Sequence, residues 1–135
     1  MFRFEKLDVW HRAIEHARQV YSITQSFPDN ERFGLTSQLR RAAVSVSANI
    51  AEGSGRSSDV DFARFIEISY GSLMEVVSHA SIAKLQGLLS NPAFDTLYQQ
   101  SDELARMLSG LRSTLTQRQS RKRPASGSRP STLDS

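Results

Sequence analysis

The side chains able to do chemistry in this chain are few, and their spacing limits what they can do. Cysteine is absent from the 135 residues, which removes disulfides, thiolate nucleophiles and every zinc or iron–sulfur site built on a thiolate. Three histidines remain, His11, His16 and His79. A di-iron site inside a helical bundle needs Glu-x-x-His pairs on two helices, and none of these histidines follows a glutamate by three residues. Glu75 and His79 are four apart, as are His11 and Glu15, and both pairs read as solvated contacts on a helix surface. Glu52, Glu67 and Glu75 are too scattered for the clustered Glu-x-x-Glu magnesium ligands of a helical pyrophosphatase. Gly53-Ser54-Gly55-Arg56-Ser57-Ser58 resembles a phosphate cradle ahead of a helix. It lacks the lysine of a P-loop and follows a helix rather than a strand, so it reads as a helix cap and turn. No Ser/His/Asp order stands out. The expectation is a protein that is not an enzyme, with no catalytic, cofactor-binding or metal site and no small-molecule substrate.

Cationic clusters are the remaining chemistry. The chain holds 17 Lys and Arg against 14 Asp and Glu, and the excess is not evenly spread. Residues 118–135 carry five basic side chains against Asp134 alone, whereas residues 1–117 carry 12 basic and 13 acidic ones. The candidate nucleic-acid contacts are Arg118, Arg121, Lys122 and Arg123, with Arg40 of the Arg40-Arg41 pair, whose members point in different directions on a helix. The same terminal stretch is rich in Ser, Pro and Gly, and only Ala125 and Leu133 in it are apolar. Too little apolar surface is available there to offset chain entropy, which predicts a disordered tail over 118–135 behind a folded domain over 1–117. Met1-Phe2-Arg3-Phe4-Glu5-Lys6 is charged with no apolar stretch behind it, and no run approaches the ~20 apolar residues of a membrane span. The expectation is a cytoplasmic protein with no membrane partner.

Four helical patterns must position these residues. Leu7, Trp10, Ile14, Ala17, Tyr21 and Thr24 alternate steps of three and four up to Phe27-Pro28. Leu35, Leu39, Ala42, Val46 and Ile50 make a second stripe that ends at Gly53-Ser54-Gly55, where a glycine is free to take the left-handed C-terminal conformation. Ser58-x-x-Asp61 opens a third helix as a near capping box, with Phe62, Phe65, Ile66, Ser69, Leu73, Val76, Ala80 and Ala83 on one face to about Leu89. Gly71 lies opposite that face, where it would admit a close approach by another surface. Asn91-Pro92 caps a fourth helix, in which Leu97, Ser101, Leu104, Leu108, Leu111 and Leu115 keep an unbroken rhythm. Long helices with short loops predict an all-α, antiparallel up-and-down four-helix bundle.

The second helix carries more than a bundle needs. Beside its core stripe, Val44, Ala48 and Ala51 form a smaller apolar face, and Gln38, Arg41, Ser45, Asn49 and Glu52 run as a polar line between the two. A surface helix of a monomer normally has one apolar stripe and a broad polar back. Two apolar faces predict a helix covered twice, once by its own bundle and once by a second copy of the chain.

These residues also carry a family likeness. Phe4…Leu7-x-x-Trp10, Phe27-Pro28-x-x-Glu31-x-Phe33-Gly34-Leu35-Thr36-Ser37-Gln38-Leu39-Arg40-Arg41-Ala42, Ser45-x-x-x-Asn49-Ile50-Ala51-Glu52-Gly53 and Phe65…Gly71-Ser72-Leu73-x-Glu75 resemble the four-helix bundle proteins encoded in intervening sequences of bacterial 23S rRNA genes. That family includes relatives of the accessory variability determinant proteins of diversity-generating retroelements, which are homopentameric, bind nucleic acid and associate with a reverse transcriptase. The resemblance covers roughly residues 4–117. It implies a homo-oligomer, here a pentameric ring, with Gln38, Arg41, Ser45, Asn49, Glu52, Gly53 and Gly71 as its interface or motif residues. It also implies a non-enzymatic scaffold for RNA or for a nucleic-acid-processing protein, the alternative being an adaptor that touches protein only. The near-neutral body leaves the tail as the basic element.

Overall fold

Each helix begins and ends where local chemistry requires it. The computed structural model describes residues 1–121. A 3₁₀ turn (Arg3–Lys6) precedes α1 (Asp8–Thr24), and a second (Asp29–Glu31) precedes α2 (Leu35–Ser54), which is followed by α3 (Asp59–Leu85) and α4 (Asn91–Arg121). Among the described residues there is no strand. The Glu31 carboxylate accepts the Leu35 N–H at 3.1 Å and so satisfies an orphan donor at the start of α2. The Ser58 hydroxyl accepts the Asp61 N–H at 3.1 Å, which is the expected half of a capping box.

Four helix ends differ in detail from the sequence reading. First, α2 ends at Ser54, inside the expected Gly53-Ser54-Gly55 stretch, but no glycine there is left-handed, and the one positive-φ residue among those described is Gly87, at 77°. Second, Gly87 ends α3 four residues early, because Leu88 N–H reaches Ala83 O and Gly87 N–H reaches Lys84 O in a Schellman closure. Third, Ser90 rather than Asn91 caps α4, its hydroxyl accepting from Ala93 N–H at 3.2 Å. Fourth, α4 continues past Gln117 to Arg121, so Arg118 and Arg121 belong to the bundle's last helix and not to a tail that begins at 118. Lys122, Arg123 and the rest of 122–135 lie outside the described residues.

Cross-helix bonds define an antiparallel square. Arg12 meets Glu103 and His16 meets Ser101 between α1 and α4, Ser45 meets Ser72 and Ser69 meets Val46 O between α2 and α3, and Arg112 meets Glu67 and Arg118 meets Asp59 between α3 and α4. In each pair of bonds one chain number rises as the other falls. The apolar core is split in two. One cluster gathers Val9, Ala13, Val46, Ile50, Phe62, Ile66, Leu73, Leu104, Leu108 and Leu115, the other Val20, Phe27, Leu39, Ala43, Val76, Ala80, Leu89 and Leu97. His16 and Ser101 sit between them in sequence and in space, bonded at 2.9 Å, as a polar waist. Burying each large aliphatic side chain contributes roughly 1.5–3 kcal/mol, so the two clusters hold the four helices.

The buried face of α1 follows the stripe expected from spacing only in part: Thr24 is buried and Leu7, Trp10 and Ala17 are half-buried against the core. Val9, Ala13, His16, Val20 and Thr24 face inward, while Ile14 and Tyr21 are exposed. His16 and Thr24 are buried because each finds a partner, Ser101 Oγ for the imidazole and the Val20 carbonyl, at 2.8 Å, for the hydroxyl.

Candidate functional site

The polar line of α2 lies where expected on the helix, and the structure shows what faces it. With Leu39, Ala43, Val46 and Ile50 turned to the core, Gln38, Arg41 and Ser45 form one wall of a groove of about 510 Å³, and Glu75 and His79 of α3 form the other. Ser45 Oγ and Ser72 Oγ share a hydrogen bond of 2.8 Å across the helices. Asn49 Nδ2 donates to the Ser45 carbonyl at 2.9 Å and to its hydroxyl at 3.0 Å. Asn49 therefore aims the serine that ties α2 to α3, a positioning role.

The remaining motif residues do different work. Glu52 is joined to Arg56 at 3.2 Å, and Arg56 stacks on the Phe65 ring at 4.6 Å, so this acid folds the turn rather than facing the groove. Gly53 is buried against α3, where a β-carbon would lie 2.7 Å from Phe65 Cβ and 2.9 Å from Phe62 Cδ1. Gly71 is its opposite: a methyl group there would meet no other atom within 4 Å. Gly71→Ala should therefore raise the stability of the isolated bundle by about 0.5–1 kcal/mol through helix propensity, read by urea denaturation. If the same variant loses assembly, the open space at Gly71 is used by a neighbouring copy.

Glu75 and His79 pair across one helical turn as their spacing predicts, and the Glu75 side chain is 61% exposed, but the histidine is not solvated. His79 Nε2 lies 3.7 Å from the Glu75 carboxylate and its side chain is 18% exposed, so it belongs to the groove wall, and its Nδ1 is buried without a partner. His11 does not meet Glu15 at all; its Nε2 contacts the Glu5 carbonyl at 2.7 Å, and Glu15 reaches Arg18. The groove thus presents a guanidinium, an amide, a hydroxyl, a carboxylate and an imidazole. Arg41 makes no hydrogen bond or ion pair among the described residues. This set can recognise polar groups, but it holds no nucleophile bonded to an oriented base, and no group of three or more His, Asp or Glu among the described residues is arranged to hold a metal ion.

The second apolar face of α2 is uncovered. Val44 and Ala48 are exposed beside Tyr21, in a shallow depression of about 500 Å³ rimmed by Arg40 and Arg41. Ala51 is half-buried.

Two of the candidate cations are occupied. Arg40 stacks over the Tyr21 ring at 4.6 Å and donates to Thr24 Oγ1 at 2.9 Å. Arg118 makes a bidentate pair with Asp59 at 3.0 and 2.9 Å, which ties the last turns of α4 to the first turn of α3. Arg121 is the last residue of α4. No helix among the described residues is long and apolar enough to cross a membrane.

Sequence reasoning missed the polar waist. His16 is 1% exposed, its Nδ1 has no partner, and burial holds its pKa down at about 4. Nothing in spacing alone distinguishes a buried histidine at a core position from a solvated one.

The comparisons with known proteins agree with this architecture. The family model described as 23S rRNA-intervening sequence protein matches residues 5–110. The crystal structure of a protein with unknown function from the S23 ribosomal protein family of Bacteroides thetaiotaomicron VPI-5482 is similar over 76% of this chain and 96% of its own, with a TM-score of 0.69 and 19% identity. At that identity the likeness shows the fold alone. No curated protein matches the chain.

Proposed function

The chain belongs to the 23S rRNA-intervening sequence protein family, and on that premise we propose that it is a non-catalytic helical scaffold that works as a homo-oligomer. The observation that carries this reading is α2. Its inner face is packed by Leu39, Ala43, Val46 and Ile50, yet Val44 and Ala48 on its outer face are apolar and uncovered. An apolar back on a helix already packed from the front fits a surface that a second subunit covers. The likeness on the motif residues supports a ring of five as the closed form.

RNA is the partner that the charge distribution favours. Residues 1–121 hold 14 basic and 13 acidic side chains, and within them Arg40 and Arg118 are already engaged. Arg41 at the groove makes no ion pair among the described residues, and the sequence adds the Arg121-Lys122-Arg123 cluster, which an oligomer would present in several copies. Weak phosphate contacts then add through effective concentration.

Light scattering and RNA titration at two salt concentrations test both halves. The chain should run at a multiple of its 15.1 kDa mass; a single-chain mass overturns the homo-oligomer. RNA affinity should fall with added salt, and by about tenfold or more in a chain ended after Arg121, which keeps the Arg118–Asp59 pair and removes Lys122, Arg123 and Arg129. Unchanged affinity overturns the role of that cluster, and no RNA binding at all favours a protein-only adaptor, such as an accessory subunit of a reverse transcriptase.

A further inference from the structure

Apolar depressions open on two opposite sides of the bundle. Between α1 and α2 the surface is hollow: Val44, Ser45 and Ala48 are small, Tyr21 forms one edge, and Arg40 and Arg41 form the rim, with no carboxylate lining it. Between α3 and α4 the surface is built of large side chains, Tyr70, Met74, Val77 and Tyr98, and its charged member is Asp102. Tyr98 is 53% exposed and Met74 40%. In a square bundle the α1–α2 and α3–α4 sides face away from one another, so neither closes over the other within one chain.

Resting on the homo-oligomer reading above, we propose that copies join head to tail, the α3–α4 side of one chain seated on the α1–α2 side of the next. Tyr98 and Met74 then cover Val44 and Ala48, and Asp102 turns toward Arg41. Shape and charge both favour this pairing over a two-fold contact. A two-fold through the α1–α2 side sets the Arg40–Arg41 rim against its own copy. One through the α3–α4 side sets the bulky Tyr98 and Met74 against themselves, with Asp102 facing its own copy. Like charges brought together at an interface disfavour the contact. Asp102 already meets Arg106 at 2.9 Å, but that is an exposed pair one helical turn apart, and a carboxylate accepts further donors. Two unlike faces also generate a ring that closes by rotation, which a self-complementary face cannot do beyond a dimer.

The test uses two full-length variants, each blocked at one face. Val44→Glu places a carboxylate in the hollow, facing Asp102, and Tyr98→Glu places one on the opposing surface, aimed at an apolar floor. Both positions are exposed, and helix content by circular dichroism checks that each variant folds. Each variant alone should run as a single chain of 15.1 kDa. Their equimolar mixture should form a one-to-one dimer, joined through the one intact pair of faces. If Tyr98→Glu keeps the wild-type mass, or the mixture yields no dimer while the wild type assembles, the head-to-tail contact is wrong and the homo-oligomer stands. If the wild type itself is a single chain, the homo-oligomer reading fails first. Should either variant unfold, Ala48→Glu and Met74→Glu repeat the experiment on the same two faces.

Discussion

Acidifying the protein from pH 7 to pH 4 should cost the bundle about 3 kcal/mol through His16 alone, and His16→Gln should remove that loss. His16 is 1% exposed, and burial lowers its pKa from 6.5 to about 4. In the unfolded chain the imidazole takes a proton near pH 6.5. In the folded chain it stays neutral until about pH 4, so between these values the unfolded state binds more protons. Stability therefore falls with pH across that window, by about 1.4 kcal/mol for each unit separating the two pKa values. Above pH 6.5 both states are neutral and the term vanishes; below about pH 4 both are charged and the loss is complete. Urea denaturation of wild type and His16→Gln at several pH values isolates the effect, since the carboxylates are common to both. The glutamine amide stays neutral and retains a polar group for Ser101. The difference between the two proteins should be flat above pH 6.5 and shift by about 3 kcal/mol toward pH 4. A difference that does not change with pH would mean that His16 is charged or solvated in the native bundle.

Gly53→Ala should destabilise the bundle by about 1–2 kcal/mol net, opposite in sign to Gly71→Ala on the neighbouring helix. A β-carbon at Gly53 collides with Phe65 Cβ at 2.7 Å and with the Phe62 ring at 2.9 Å. The Phe65 β-carbon is fixed to the backbone of α3, so relief requires the C-terminal end of α2 to move away from α3. That motion also disturbs Phe62, which is 1% exposed. Overpacking against an atom fixed to backbone belongs at the upper end of the range of about 1–3 kcal/mol, and the better helix propensity of alanine, roughly 1 kcal/mol, offsets part of it. Thermal or urea denaturation of the two alanine variants side by side gives a control within the same protein. If Gly53→Ala is as stable as Gly71→Ala, the helices have room at that contact and the glycine is not required there.

Much of the framework was legible because apolar periodicity reports directly on which helix face is buried. The rhythm of Leu97, Leu104, Leu108 and Leu115 located α4, and all four are buried. The polar line of α2 was equally visible, since steps of three and four place its members on one flank whatever lies opposite. Other features were hidden for specific reasons. On α1 the expected stripe straddles the edge of the buried face: Leu7, Trp10 and Ala17 are half-buried against the core, whereas Ile14 and Tyr21 are exposed and Val9, Ala13, His16 and Val20 take the centre. His16 disguised the inner set, because a polar side chain can occupy a core position once a partner such as Ser101 satisfies it. Gly53 read as part of a helix end, and α2 does finish at Ser54, but the contact with Phe62 and Phe65 of α3 that leaves no room for a β-carbon was hidden.

What the sequence determined by itself was an all-α chain of four long helices, the motif residues that mark its family, and the division between a near-neutral body and a basic C-terminal stretch. These depend on residue type and local spacing, which a linear pattern records. Tertiary structure alone decided that His79 and Glu75 wall a groove with Arg41, that Arg118 is held by Asp59, that a histidine sits at the waist of the core, and that Gly53 is a contact while Gly71 is a gap. Each of these depends on what a second helix brings within a few ångströms, and the distance between residues far apart in the chain is set only when the helices pack.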